Sequence, residues 1–324
     1  MKKIISRTAS VLFLLLFFAF VFLYGSLHLI YHSDNVKTKE VLTLSLLETS
    51  AAKFVPSLFL SEERIQEIVA QNTVVYESQT DEALIEVEFQ GSDDIEVVEI
   101  SGATYKGRML IISDPSRISM ATPDSGFGNN SSGLTVAEYV ARDGAIAGIN
   151  AGGFEDKNGR GNGSVPSGYV IENGEITYGK SSEVDCVTGF DENFKLIVGE
   201  MSANEALNQG IVNGLCFSLS GIGALIINGE PIDIDATGGG LNPRTAIGQR
   251  ADGTIILLNI DGRQAHSVGA SYLDIINIFL EQDVINASNL DGGSSAMMIY
   301  QNEVLSVSSS LVGVRQLPTA FLVH

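Results

Sequence analysis

Histidine, cysteine and positive charge are all scarce in this chain, and each scarcity removes a class of function. Of four histidines in 324 residues, only His266 and the terminal His324 lie beyond the first sixty positions. A serine hydrolase needs an imidazole beside its nucleophile. Moreover, Gly292-Gly293-Ser294-Ser295-Ala296 departs from the nucleophile-elbow pattern at its last position. Cys186 and Cys216 are the only cysteines. In an exported protein they form either one bridge or two buried thiols, and spacing does not decide between these. Basic residues number 19 against 39 acidic ones. The chain also lacks an internal repeat and a regular strand–helix–strand rhythm, which argues against solenoids and doubly wound parallel sheets.

The long apolar stretch is at the N-terminus. Lys2, Lys3 and Arg7 precede an uncharged run over residues 11–31, about the 20 residues needed to cross a bilayer. Basic residues on that side predict a cytoplasmic N-terminus and an exported body. The run exceeds a usual signal-peptide core and lacks an obvious A-x-A site, so an uncleaved anchor is expected. Beyond it, 39 acids face 16 bases, a net charge of −23. Such a surface repels nucleic acid at long range, so no nucleic-acid partner is expected. A phosphate-bearing ligand would have to be held by local arginines.

The pattern divides into a stub and anchor (1–32), a stem with a short helix (33–80) and a domain (81–324). Ser61 caps a helix over Glu62–Gln71. Residues 83–89 and 95–100 alternate as acidic edge strands. Strands are expected at 108–113, 118–121, 145–149, 186–190, 195–198, 215–219, 224–227, 245–248 and 254–260. Helices are expected at 135–142, 202–209 and 271–281, the last with Leu273, Ile276 and Leu280 as its core stripe. Asn173-Gly174 marks a hairpin. It also begins a letter-for-letter phosphate-loop match ending at Lys180-Ser181. That match fails as chemistry, because the middle of the loop reads as a strand. The fold class is therefore α+β, a mixed β-sheet core with flanking helices behind one N-terminal transmembrane helix.

Four polar, glycine-rich turns flank buried strands: Asn150-Ala151-Gly152-Gly153-Phe154, Asn242-Pro243-Arg244-Thr245-Ala246, Asp261-Gly262-Arg263 and Asn289-Leu290-Asp291-Gly292-Gly293-Ser294. Gathered at one sheet edge, they would make a polar site on a rigid frame. Arginine forks bind phosphate bidentately. Aspartates serve as base or stabilise an oxocarbenium ion, and asparagines bind sugar hydroxyls. The set suits a sugar phosphate. Arg244, Arg263, Asp261 and Asp291 are the candidate catalytic residues. Asn150, Gly152, Gly153, Asn242, Thr245, Asn289, Gly292, Gly293 and Ser294 are the candidate binding residues. These residues name no certain cofactor. Asp156-Lys157-Asn158-Gly159-Arg160-Gly161 has a calcium-loop flavour, but Arg160 and Ser167 stand where oxygen ligands belong, and a divalent cation such as Ca²⁺ stays open.

In the same order, these turns resemble the motifs of the phosphodiester glycosidase family, over residues 105–324. The resemblance implies hydrolysis of a sugar-1-phosphodiester at its anomeric C–O bond. For an anchored chain, the expected substrate is a phosphate-linked glycan of the cell surface. The alternative is a surface glycan-binding or scaffold protein in exopolysaccharide or wall assembly, which keeps the pocket without turnover.

Overall fold

Short apolar runs broken by Gly, Asn and Asp turns make this a chain of short strands. A computed structural model describes residues 2–324 apart from 50, 73, 75–78, 88–90, 129, 157–160, 218–221, 235–237 and 311–312. Helices α1 (Lys2–Tyr31), α2 (Val36–Leu47) and α3 (Glu62–Gln71) come first. Strands β1 (Ile95–Ser101), β2 (Lys106–Ile112) and β3 (Ile118–Ala121) lead to α4 (Val136–Asp143), β4 (Ala147–Asn150), β5 (Val170–Glu172) and β6 (Glu175–Tyr178). Next are β7 (Val184–Phe190), β8 (Leu196–Ser202), α5 (Ala203–Asn208), β9 (Asn213–Cys216), β10 (Ala224–Ile227) and β11 (Glu230–Pro231). The final stretch holds β12 (Arg244–Arg250), β13 (Ile255–Ile260), α6 (Tyr272–Leu280), β14 (Val284–Asn289), β15 (Met298–Tyr300), β16 (Glu303–Val304) and β17 (Ala320–Val323).

The strands form three sheets, ordered β1-β2-β13-β12-β14-β10-β11, β16-β15-β4-β17-β3 and β6-β5-β9-β7-β8. One apolar core lies among them, built from Leu110, Ile149, Phe190, Val198, Leu257, Met298 and Phe321. The helices cover the outer faces: α6 packs on the seven-stranded sheet, α4 on the second and α5 on the third. This is the expected α+β architecture.

Local chemistry accounts for the helix ends. Thr135, Ser202 and Ser271 each accept a hydrogen bond from the backbone three residues on, and the acid at that position accepts one from the cap residue's own N–H. Each such capping box satisfies two otherwise orphaned donors. The α6 stripe differs from expectation. Tyr272, Ile275, Ile276 and Phe279 are buried, whereas Leu280 is exposed at the C-terminal end. The buried face is set by where β12 and β14 lie beneath the helix. Residues 83–87 are not a strand, because Asp81 caps a 3-10 turn over Glu82–Leu84; residues 88–89 lie outside the described set. Glu175–Tyr178 is a strand, as the rejection of the phosphate loop required.

Cys186 and Cys216 are both buried, and no disulfide joins them. Val187, not Cys186, pairs with Cys216 across β7 and β9. Side chains alternate along a strand, so the two thiols point to opposite faces of the sheet.

In α1, Ser10–Tyr31 is apolar (mean hydropathy 2.4) and long enough to cross a membrane; Tyr31, at its end, is buried by the protein and the residues before it are not. The stem then packs back on itself. The Tyr31 ring stacks on Phe59 at 4.9 Å, and Arg64 bridges Glu40 at 2.8 Å.

Candidate active site

Antiparallel register explains why distant turns meet. Arg244 opens β12 opposite Ile260, the last residue of β13, and Ala246 lies opposite Asn289, the last residue of β14. The β12 entry and the β13 and β14 exits therefore share one end of the sheet. Asn150, at the end of β4, is tied to the same place. Its Oδ1 accepts from Thr245 Oγ1 at 2.9 Å and from Met297 N at 2.9 Å, and its Nδ2 donates to Asp291 O.

Arg244 is 2% exposed, and backbone carbonyls hold its guanidinium. Nε donates to Ala270 O at 3.2 Å, and Nη2 donates to Gly239 O at 2.7 Å and Gly240 O at 3.1 Å. The guanidinium lies 4.0 Å over the Tyr272 ring. Its remaining edge faces an unexpected partner, Glu48, the residue that caps the C-terminus of α2. Nη1 reaches Glu48 Oε2 at 3.0 Å and Oε1 at 3.3 Å.

Arg263 approaches the same residue. Its Nη2 donates to Asn242 Oδ1 at 2.9 Å and to Glu48 O at 3.3 Å, while its buried Nε has no hydrogen-bond partner. Gly293, in the left-handed region at φ 59°, passes close beneath it; a Cβ there would stand 3.3 Å from Nη1. Ser45 Oγ also receives the Leu241 N–H at 2.8 Å, so the stem docks through α2 as well as through Glu48.

Asp291 stands on the far side of the Gly292-Gly293 turn. Burial raises its pKa to about 7; a hydrogen bond from Ser295 and the charge of Arg315 oppose the rise, and Asp156 adds to it. The charge of Asp291 also acts on Tyr272, the ring beneath Arg244. Arg315 is nearly enclosed. It bridges Asp156 at 2.8 Å, donates to Ser294 Oγ at 3.2 Å and to Gly161 O at 3.1 Å, and lies 5.3 Å from the Phe154 ring centroid.

The other expected residues separate into two groups. Asn289 pairs with Ala246, whose face of the sheet packs under α6, and its enclosed amide has no hydrogen-bond partner. Asn242 orients Arg263. Asn150 and Thr245 are fully enclosed and bonded to each other. They hold the Asp291 turn, and a sugar hydroxyl has no room to reach them. Gly152, Gly153 and Gly292 serve close packing rather than ligand approach. A Cβ on Gly152 would meet Thr319 Oγ1 at 2.9 Å and one on Gly292 would meet Pro243 O at 2.7 Å, while one on Gly153 would overlap Phe217 O. The Asp261 carboxylate turns away from Arg263; it accepts from Val307 N at 2.7 Å and lies 3.3 Å from His266 Nε2.

Glu48, Tyr272, Asp156 and Arg315 were not among the expected site residues. Arg315 and Asp156 are 159 positions apart, and no local spacing links them. Asp156 heads the calcium-like stretch, of which residues 157–160 lie outside the described set. Its carboxylate is engaged by Arg315, and no group of three or more His, Cys, Asp or Glu side chains able to hold a metal occurs among the described residues.

Arg244 and Arg263 thus converge on Glu48 at the end of an antiparallel sheet, with the half-buried Asp291 beyond the Gly292-Gly293 turn. A family profile for phosphodiester glycosidases matches residues 143–324, and the chain belongs to that family. It is 30% identical over 195 residues to the SPbeta prophage-derived protein YomE of Bacillus subtilis (strain 168), covering 57% of this chain and 29% of that protein. It is 26% identical over 231 residues to the N-acetylglucosamine-1-phosphodiester alpha-N-acetylglucosaminidase of Mus musculus, covering 66% of this chain and 43% of the relative. The chain thus spans less than half the length of these two proteins. The solved catalytic domain of the zebrafish enzyme of that name, auto-inhibited by pro-peptide, superposes with a TM-score of 0.58 at 21% identity, covering 74% of this chain and 86% of that one. At that identity the likeness is one of fold.

Proposed function

We propose that this protein hydrolyses a glycosyl phosphodiester at the anomeric C–O bond, with α1 anchoring it in a membrane and the domain outside the cytoplasm. The observation that carries the reading is the convergence of Arg244 and Arg263 on one residue, Glu48. A phosphodiester oxygen would match the charge of the Glu48 carboxylate at Arg244, and a second one would take the place of the Glu48 main-chain oxygen at Arg263.

In this scheme the two arginines hold the phosphoryl oxygens and stabilise the charge that develops on departure. Each well-placed donor contributes on the order of 3 kcal/mol to the transition state. Water attacks C1 as Asp291 takes its proton, and the C1–O bond breaks with its electron pair passing to the phosphate. The products are a free sugar and a phosphomonoester. Because the leaving group is already a stabilised anion, little general-acid help is needed, which suits a site without a histidine beside Asp291. Arg315 and Ser294 border the carboxylate, while Asp261 supports the Arg263 turn from behind.

With Glu48 seated, the arginine pair is closed to substrate. The stem is then an inhibitory segment, a reading that agrees with the auto-inhibited state described for the zebrafish catalytic domain. The expected substrates are phosphate-linked glycans of the cell surface.

Incubating the detergent-solubilised chain with a panel of sugar-1-phosphodiesters in ¹⁸O-labelled water tests the reaction. Label in the released sugar supports anomeric attack, and label in phosphate would move the cleavage to the P–O bond. Binding with no sugar released by wild type or by Glu48→Gln would make it a glycan-binding protein instead.

A further inference from the structure

The stem returns to the anchor after passing the site. Phe59 packs against two residues of the apolar span, with ring centroids 5.7 Å from Tyr24 and 4.9 Å from Tyr31. The turn that brings it there, Pro56–Leu58, leaves Leu58 62% exposed, and Phe54 just before it is 59% exposed. Two large apolar side chains thus project into solvent next to a helix built to lie in lipid. Aromatic residues at the end of a span favour the headgroup region of a bilayer.

Charge points the same way. Between Ser33 and Leu60, three lysines (Lys37, Lys39, Lys53) balance three acids, in an exported part that otherwise carries the whole excess of 23 negative charges. This neutral collar is the part of the surface that an anionic membrane would not repel. Glu48 precedes Phe54 by six residues, at most about 20 Å of extended chain. The path is shorter than that, because Lys53 N bonds back to Thr49 O at 2.9 Å and Val55 N to Ala52 O at 2.9 Å.

We propose that Phe54 and Leu58 insert into the outer-leaflet interface beside α1, and that the Arg244–Asp291 pocket, held next to the bilayer, takes glycosyl phosphodiesters carried by membrane lipids. The substrate clause rests on the glycosidase reading above, whereas the membrane contact does not. The apolar pair supplies the interfacial contact, and α1 sets the orientation. A lipid-borne substrate then meets the pocket at a raised effective concentration.

The sequence contains no tryptophan, so one introduced indole reports on one place. The full-length Leu58→Trp variant, reconstituted in vesicles with brominated acyl chains, should emit at short wavelength and lose about half or more of its fluorescence to the bromines. Val184→Trp, in the third sheet, should not. A Leu58→Trp emission that the bromines leave unchanged overturns the contact, whatever the activity. In parallel, an acylated glycosyl phosphodiester in the same vesicles should be turned over about tenfold more efficiently than a short-chain ester with the same headgroup. Phe54→Glu/Leu58→Glu should remove that advantage and leave the soluble substrate unaffected. Equal turnover of both esters by wild type overturns the substrate class. If neither ester is hydrolysed by any variant, the glycosidase reading fails and the quenching result still decides the contact.

Discussion

Glu48 Oε2 lies 3.0 Å from Arg244 Nη1, and this contact joins residues 196 positions apart. It couples the stem to the first residue of β12. The Glu48 side chain is 36% exposed and that of Arg244 only 2%, so the arginine is the fixed partner and the glutamate the displaceable one. Arg244 keeps three carbonyl acceptors when Glu48 leaves.

Glu48→Gln should therefore activate the protein. Losing a contact worth about 1.4 kcal/mol raises the fraction of open site tenfold, and kcat/KM should rise accordingly. Inorganic phosphate should raise the melting temperature of the variant more than that of wild type. An unchanged rate together with unchanged phosphate protection would leave Glu48 as an ordinary surface pair.

Arg244→Lys should keep the fold and lose the reaction. An ammonium cannot reproduce a planar fork held by three carbonyls, and loss of an electrostatic donor costs about 10²-fold or more in kcat. Circular dichroism and steady-state kinetics on one preparation separate folding from chemistry. Near-wild-type kinetics in the lysine variant would remove Arg244 from the mechanism.

With the pKa of Asp291 at about 7, a carboxylate that must be ionised gives a rate that rises through neutral pH. Stability changes in the opposite direction. The folded protein retains a proton that the unfolded chain releases near the usual carboxylate value, so Asp291 weakens the fold as pH climbs from about 4 towards 7. Asp291→Asn should abolish turnover. It should also stabilise the protein at pH 8 by on the order of 2 kcal/mol, discounted for partial exposure, and by little at pH 4. Thermal melts at the two values check the sign.

Arg315 holds the pKa of Asp291 down, and Asp156 pushes it up. Arg315→Gln removes the first and leaves the second unpaired, so the rising limb of the pH–rate profile should move upward by about one unit. Adding Asp156→Asn should bring it part of the way back. A limb that stays put in both variants would make the pair a strut for the Gly161 loop and nothing more.

Cys216 is buried, and burial raises its thiol pKa well above the usual value. Both cysteines should resist a maleimide until the protein unfolds, and dithiothreitol should leave the melting temperature unchanged. Dithiothreitol that lowers it would indicate a bridge.

Much of the framework was written locally in the chain. Ser61 and Ser202 marked helix starts because a side-chain oxygen three residues ahead of an orphaned N–H acts without tertiary help, and Thr135 and Ser271 cap their helices in the same way. Asn173-Gly174 marked its hairpin because both residues adopt positive φ. The apolar span, the acidic remainder of the chain and the four turns with Arg244, Arg263 and Asp291 were legible in the same way, from residue type and neighbours. What no local pattern held was direction and company. Asn150 and Asn289 sit in similar turns, yet one is saturated by Thr245 and Met297 while the other keeps an unpartnered amide. Asp261 precedes Arg263 by two residues but faces Val307 and His266. Glu48 reaches Arg244 across 196 positions and Asp156 reaches Arg315 across 159, contacts that only packing creates. Pair energies depend on separation in space, and only the folded chain sets those distances.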